Sequence, residues 1–173
     1  MDKAVTVYFS HGKESGPWGS KITRLANVAE KYGCRVVSID YTEIDNPDAR
    51  VSHLLQKLAA EENDTILVGS SMGGYVSLVA AQTSKPKGLF LMAPALYMDG
   101  YEQQEYHCSN TPIEIIQGWK DTITIPEGAI RFASQQRCRL QLIDSDHPFS
   151  DALETIADSF ELFLRRVLSG TPF

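Results

Sequence analysis

Long apolar runs are missing from this 173-residue chain. The longest, Leu89 to Leu96, falls far short of the roughly 20 residues that a membrane-spanning helix needs. An excess of basic charge is missing too. Sixteen Lys and Arg stand against 22 Asp and Glu, a net charge of −6, so the chain lacks the cations with which a nucleic-acid binder neutralises phosphates. Cysteine is scarce. Cys34, Cys108 and Cys138 show no C-x-x-C spacing, which argues against a disulfide framework or a zinc site and for reduced thiols. The opening residues run from Met1-Asp2-Lys3 into Val5-Thr6-Val7-Tyr8-Phe9 without the basic flank or the length of a signal peptide. The expectation is a cytoplasmic protein with no membrane or nucleic-acid partner, a monomer or small homo-oligomer. Repeats, low-complexity tracts and linkers are absent, and a chain of this length reads as one domain over residues 1–173.

What is present is an alternation. Six short runs rich in Val, Ile, Leu and Phe recur at 4–10, 34–41, 65–70, 88–93, 113–118 and 139–144. They are nearly continuous in apolar residues, the pattern of strands buried on both faces. Helical spacing fills four of the five gaps. Ile22, Leu25, Val28 and Ala29 share one face between Trp18 and Lys31, with Gly33 placed to end that helix. Val51, Leu54, Leu55 and Leu58 repeat between Asp48 and Glu62, after the capping pair Asn46-Pro47. Further helices are predicted at 72–84, from Pro126 to Gln136, and over 150–168, where Leu153, Ile156, Ala157, Phe160, Phe163, Leu164 and Val167 fall on one stripe. The expected fold is α/β: a three-layer α/β/α sandwich around a mostly parallel six-stranded sheet. In such sheets ligands bind beyond the carboxyl ends of the strands. That rule alone selects Ser10-His11-Gly12, Ser71, Asp99, Asp121 and His147.

The third strand runs into Gly69-Ser70-Ser71-Met72-Gly73-Gly74. This is Gly-x-Ser-x-Gly at a strand-to-helix turn, where glycines two residues either side of the serine let the chain turn sharply and leave the hydroxyl exposed. A serine hydroxyl needs a general base oriented by a carboxylate. Asp121 after the fifth strand and His147 after the sixth complete the order Ser71, Asp121, His147. Each has a plainer reading. Asp121 could cap the helix that starts near Pro126, Asp99 is an alternative acid, and Asp146 adjoins His147 with its side chain diverging. His53 and His107 read as surface residues, and His11 as a histidine that orients its own loop. Backbone N–H groups of Met72 and Lys13 are the candidate donors to an oxyanion, with Gly12 allowing close approach. Glycine-rich loops that open helices also bind phosphate, but neither Gly-x4-Gly-Lys-Ser/Thr nor Gly-x-Gly-x-x-Gly after a strand occurs. No His-Glu-x-x-His is present, and neither cofactor nor metal is expected.

On Ser10-His11-Gly12, Gly69 to Tyr75, Trp119-Lys120-Asp121 and Asp146-His147-Pro148-Phe149, the chain resembles the α/β-hydrolase superfamily. It looks most like the small, nearly lidless bacterial members of the YqiA-like esterase type. The resemblance implies a sheet without the usual first hairpin, a triad of Ser71, Asp121 and His147, and ester substrates. A helical cap is reduced to the insertion at 95–111, whose Tyr97, Met98, Tyr101 and Tyr106 either line an open pocket or pack down. Trp18, Tyr97, Trp119 and Phe149 are the expected substrate-lining aromatics. The resulting expectation is a serine hydrolase that cleaves a small carboxylic ester or thioester through an acyl-enzyme on Ser71. A peptidase or amide hydrolase with the same triad and a non-catalytic, hydrolase-like binding protein are the alternatives.

Overall fold

The computed structural model describes residues 4–171. Its strands are β1 (Val5–Ser10), β2 (Arg35–Ile39), β3 (Asp64–Ser70), β4 (Gly88–Met92), β5 (Ile113–Gly118) and β6 (Arg139–Ile143). They form one six-stranded sheet in the order β2-β1-β3-β4-β5-β6, and every neighbouring pair is parallel. The four inner strands are largely buried, whereas β2 and β6 are only partly so. Burial on both faces therefore holds for the inner strands alone, because an edge strand has no neighbour on its outer side.

Side chains alternate between two apolar layers, as the twofold period of a strand requires. Val7, Phe9, Ile66, Val68, Phe90 and Met92 pack under α1 (Ser20–Lys31) and α5 (Leu153–Ser169). Tyr8, Leu67, Leu89, Leu91, Ile113 and Ile115 pack under α2 (Pro47–Ala59), α3 (Met72–Ser84) and α4 (Pro126–Gln136). The Asn46 carboxamide oxygen accepts from the Asp48 and Ala49 N–H groups at 2.9 and 2.8 Å, which starts α2 where the pair Asn46-Pro47 predicts. Helix α5 begins at Leu153, the first residue of its apolar stripe and three residues later than the predicted span 150–168. Asp146 accepts from the Ser150 N–H and hydroxyl at 2.9 and 2.8 Å, and Phe149 takes φ 58°, so the chain completes a turn before the helix starts.

Segment 95–111 contains neither helix nor strand, and it is tied to the body of the protein. The Glu102 N–H donates to Asp48 at 3.2 Å, the Gln103 N–H to the Tyr75 hydroxyl at 3.1 Å, and the Gln136 amide to the Tyr106 carbonyl at 2.8 Å. Tyr106 is buried edge-on against Tyr75, Tyr97 and Phe132. The loops after β1, β3, β4, β5 and β6 all open at one end of the sheet, and that is where the site lies.

Candidate active site

The β3–α3 turn is forced by steric contact. Ser71 takes φ 55°, ψ −119°, a conformation that costs a non-glycine residue of order 1–3 kcal/mol. A Cβ at Gly69 would overlap the Gly73 carbonyl, and one at Gly73 would overlap the Ser10 carbonyl. Larger residues would thus push α3 away from β1 and β3. The turn is pinned on its other side by the Ser71 N–H to the Met92 carbonyl at 3.0 Å and the Ala95 N–H to the Ser71 carbonyl at 2.9 Å.

The β5 and β6 loops approach equally closely, since a Cβ at Gly118 would overlap the Ser145 carbonyl. That contact brings Asp121 and His147 together. His147 Nε2 lies 3.0 Å from Ser71 Oγ, and His147 Nδ1 lies 2.7 Å from Asp121 Oδ2. The three residues expected from their positions after strands therefore stand in one hydrogen-bonded line. Asp99 does not join it and instead lines a neighbouring cleft. Asp146 turns to Ser150. His107 is exposed, and His53 packs its ring edge-on against Tyr41.

Asp121 is a held carboxylate more than a helix cap. Its Oδ1 accepts from the Ile123 and Thr124 N–H groups, both at 2.9 Å. Its Oδ2 accepts from Gln117 Nε2 at 3.0 Å besides His147. Burial works to raise its pKa, but the hydrogen bonds from His147, Ile123 and Thr124 together hold it below the ordinary value of 3.8. Thr124 Oγ1 sits 2.9 Å from Asp121 Oδ2, 3.0 Å from the Ala93 carbonyl and 3.1 Å from His147 Nδ1. Its single proton serves one of the two oxygens at a time.

The β1–α1 loop closes the site from the other side. A Cβ on Gly12 would lie 3.4 Å from that of Ser71, so this backbone passes directly over the serine. His11 Nε2 accepts from the Tyr41 N–H at 2.9 Å, which leaves the proton on Nδ1 to be donated to the Gly12 carbonyl at 2.7 Å. Burial lowers the His11 pKa and outweighs the hydrogen bond to the Gly12 carbonyl, with a lesser contribution from the Arg50 charge, and so favours the neutral ring. Arg50 is itself 1% exposed and donates to the carbonyls of Ile44, His11 and Gly12 at 2.6, 3.2 and 3.3 Å. Among the described residues, no backbone acceptor takes the Met72 or Lys13 N–H.

The expected aromatic lining divides. Trp18 and Trp119 are more than half exposed, and Tyr97 lines the cleft. Phe149 is a correction: at 2% exposure it belongs to the core under α1 and α5, with Lys21 Nζ 5.5 Å above its ring. The sharp turn after His147 folds Phe149 inward. Lys120 pairs with Asp144 at 2.7 Å on the surface. Sequence reading missed Arg50, Gln117 and Thr124. Arg50 had a usable signal, because it lies directly before Val51 and one turn before Leu54, on the buried side of α2. Thr124 and Gln117 had none, since their roles depend on how the β5–α4 loop closes.

A model of the uncharacterised protein family UPF0227 matches residues 6–109, a stretch that includes Ser71 and the β1–α1 loop. No protein with a curated description matches the chain. Among solved structures it is similar to a candidate hydrolase of the alpha/beta superfamily from Xanthomonas campestris pv. campestris, with 28% identity and TM-score 0.85 over 94% of this chain and 99% of that one. It is also similar to Est1E from Butyrivibrio proteoclasticus, with 16% identity and TM-score 0.83 over 97% and 89% of the two chains. A third similar structure is a lidless α/β serine hydrolase from Xanthomonas campestris, with 22% identity and TM-score 0.71 over 99% and 86%. The fold is that of the α/β hydrolases.

Proposed function

The chain belongs to the uncharacterised protein family UPF0227, and from that premise and its own site geometry we propose that it is a serine hydrolase cleaving a small carboxylic ester or thioester. The observation that carries this reading is the line from Ser71 Oγ through His147 to Asp121, at 3.0 and 2.7 Å, on a serine held at positive φ. The names of its structural neighbours, hydrolases of the α/β superfamily, support the same class of reaction.

In this mechanism Asp121 holds the imidazole with its Nδ1 proton facing the carboxylate. His147 Nε2 takes the Ser71 proton as the hydroxyl attacks the acyl carbon. Negative charge then develops on the carbonyl oxygen, where the Met72 and Lys13 N–H groups receive it. The braced carbonyls of His11 and Gly12 keep that loop from relaxing toward water. His147 returns the proton to the leaving oxygen or sulfur, and water resolves the acyl-enzyme by the same path. The short, tied-down segment 95–111 leaves the serine reachable by small soluble esters.

Intact-mass labelling with a fluorophosphonate tests the reading. One stoichiometric adduct on the wild type, absent from Ser71→Ala, is expected. A folded wild type that takes no adduct and turns over no ester would overturn it in favour of a non-catalytic binding protein.

A further inference from the structure

A cleft of about 510 Å³ opens between the loops that follow β4 and β5 and the first turns of α4, and neither Ser71 nor His147 is among its lining residues. It adjoins the site through two residues. Thr124, hydrogen-bonded to Asp121, and Pro94, packed against Gly74 behind the nucleophile turn, both line it. Its walls carry Leu96, Tyr97, Met98, Ile123 and Ile125. Ile123 and Ile125 are 62% and 58% exposed, unusual for two isoleucines so close in sequence and aimed at one hollow. Nothing in the core needs them there.

We infer that this cleft is the acyl subsite of the enzyme and takes an uncharged, apolar acyl group of several carbons; the assignment rests on the serine-hydrolase reading. Sheet order supplies the first argument. Strand β3 carries Ser71, with β1 on one side and β4 on the other. The Gly12–Lys13 loop follows β1, so an oxyanion held there points to that side. The cleft follows β4 and β5, on the opposite side. Two substituents of the acyl carbon face away from the oxyanion donors. The leaving oxygen must meet His147 Nε2, which does not line the cleft. The acyl group, which stays on Ser71 after the alcohol has left, is the one the cleft can take.

Charge supplies the second argument. Asp99 and Glu127 line the cleft against a single cation, Arg131. That guanidinium lies over the Tyr97 ring at 4.0 Å, an arrangement that spends its charge on the aromatic face. Two carboxylates against one engaged cation disfavour an acyl group bearing its own carboxylate. Gly128 forms part of the lining, and a Cβ there would meet the Leu96 carbonyl at 3.4 Å and the Tyr97 ring at 3.7 Å without requiring a positive φ. The floor can therefore be filled by substitution, and the replacement suits a helix better than glycine does.

The test compares kcat/KM for p-nitrophenyl acetate and hexanoate on the wild type, Gly128→Leu and the double variant Ile123→Ser/Ile125→Ser. A fully buried methylene is worth about fourfold, so in a cleft open to solvent the wild type should prefer hexanoate by about tenfold or more. Both variants should lower the hexanoate-to-acetate ratio by about tenfold, and p-nitrophenyl hemisuccinate should be cleaved more slowly than a neutral ester of equal length. A flat chain-length profile in an enzyme that takes the fluorophosphonate adduct overturns the subsite alone. So does a preference that follows alcohol length in a series of alkyl acetates. Absence of both adduct and turnover overturns the serine-hydrolase reading and the subsite with it.

Discussion

Arg50 reaches from helix α2 to the carbonyl oxygen of Gly12 at 3.3 Å, and it does so without a carboxylate partner at ion-pair distance among the described residues. Its guanidinium lies 5.2 Å from the Tyr41 ring centre and is otherwise satisfied by backbone carbonyls. A buried cation held this way rigidifies what it touches, and what it touches is the loop that passes over Ser71. Arg50→Met should lower kcat by about tenfold to a hundredfold with little change in KM, because misplaced oxyanion donors are felt in the transition state. Stability should fall by about 2 kcal/mol from the carbonyls left unpaired. Steady-state kinetics with thermal melts, and partial recovery of kcat in Arg50→Lys, would distinguish loop positioning from a general loss of packing.

Backbone strain at Ser71 predicts an exchange of activity for stability. At φ 55°, ψ −119° glycine is comfortable and alanine is not. Ser71→Gly and Ser71→Ala should both abolish turnover, and Ser71→Gly should be the more stable by about 1 kcal/mol. Chemical denaturation of the two variants side by side measures the difference directly.

Asp121 sits in an environment that prefers its charged form. Its folded pKa lies below 3.8, so it contributes stability that is present above the unfolded value and is lost as pH falls through the folded one. Asp121→Asn should flatten the acid limb of the stability profile below about pH 4. It should also lower kcat by about 10³–10⁴-fold, since an amide would donate where the imidazole must. A wild-type rate in this variant would return attention to Asp99.

His11 acts in the same sense at milder pH. Burial lowers its pKa from 6.5, so the unfolded chain binds more protons in the window just below that value, and stability rises with pH there. Melting temperatures measured between pH 5 and 7 should climb in the wild type and change less in His11→Gln. The glutamine side chain can still donate to the Gly12 carbonyl, which keeps the comparison on titration.

Six nearly continuous apolar runs, with helical spacing or a helix-opening residue in the stretches that follow them, were enough to place six strands and five helices, because a run or a spacing of apolar residues is a local property of the chain. The Gly69–Gly73 pair and the positions of Asp121 and His147 after their strands were legible for a related reason. In a parallel sheet, each strand's end delivers its next residues to the same edge. Phe149 marks where that logic stops. Its neighbour His147 faces the site while Phe149 turns into the core, a choice made by the Asp146–Ser150 turn and by the space left under α1 and α5. Gln117, Thr124 and Arg50 tell the same story, since each takes its role only through partners 3 to 39 residues away. Sequence by itself determined the layers, the strand ends and the chemical types available at them. Tertiary structure decided which of those groups share a proton, which loop passes over the serine, and on which side a cleft remains open, because hydrogen-bond distance and excluded volume depend on how separate elements pack.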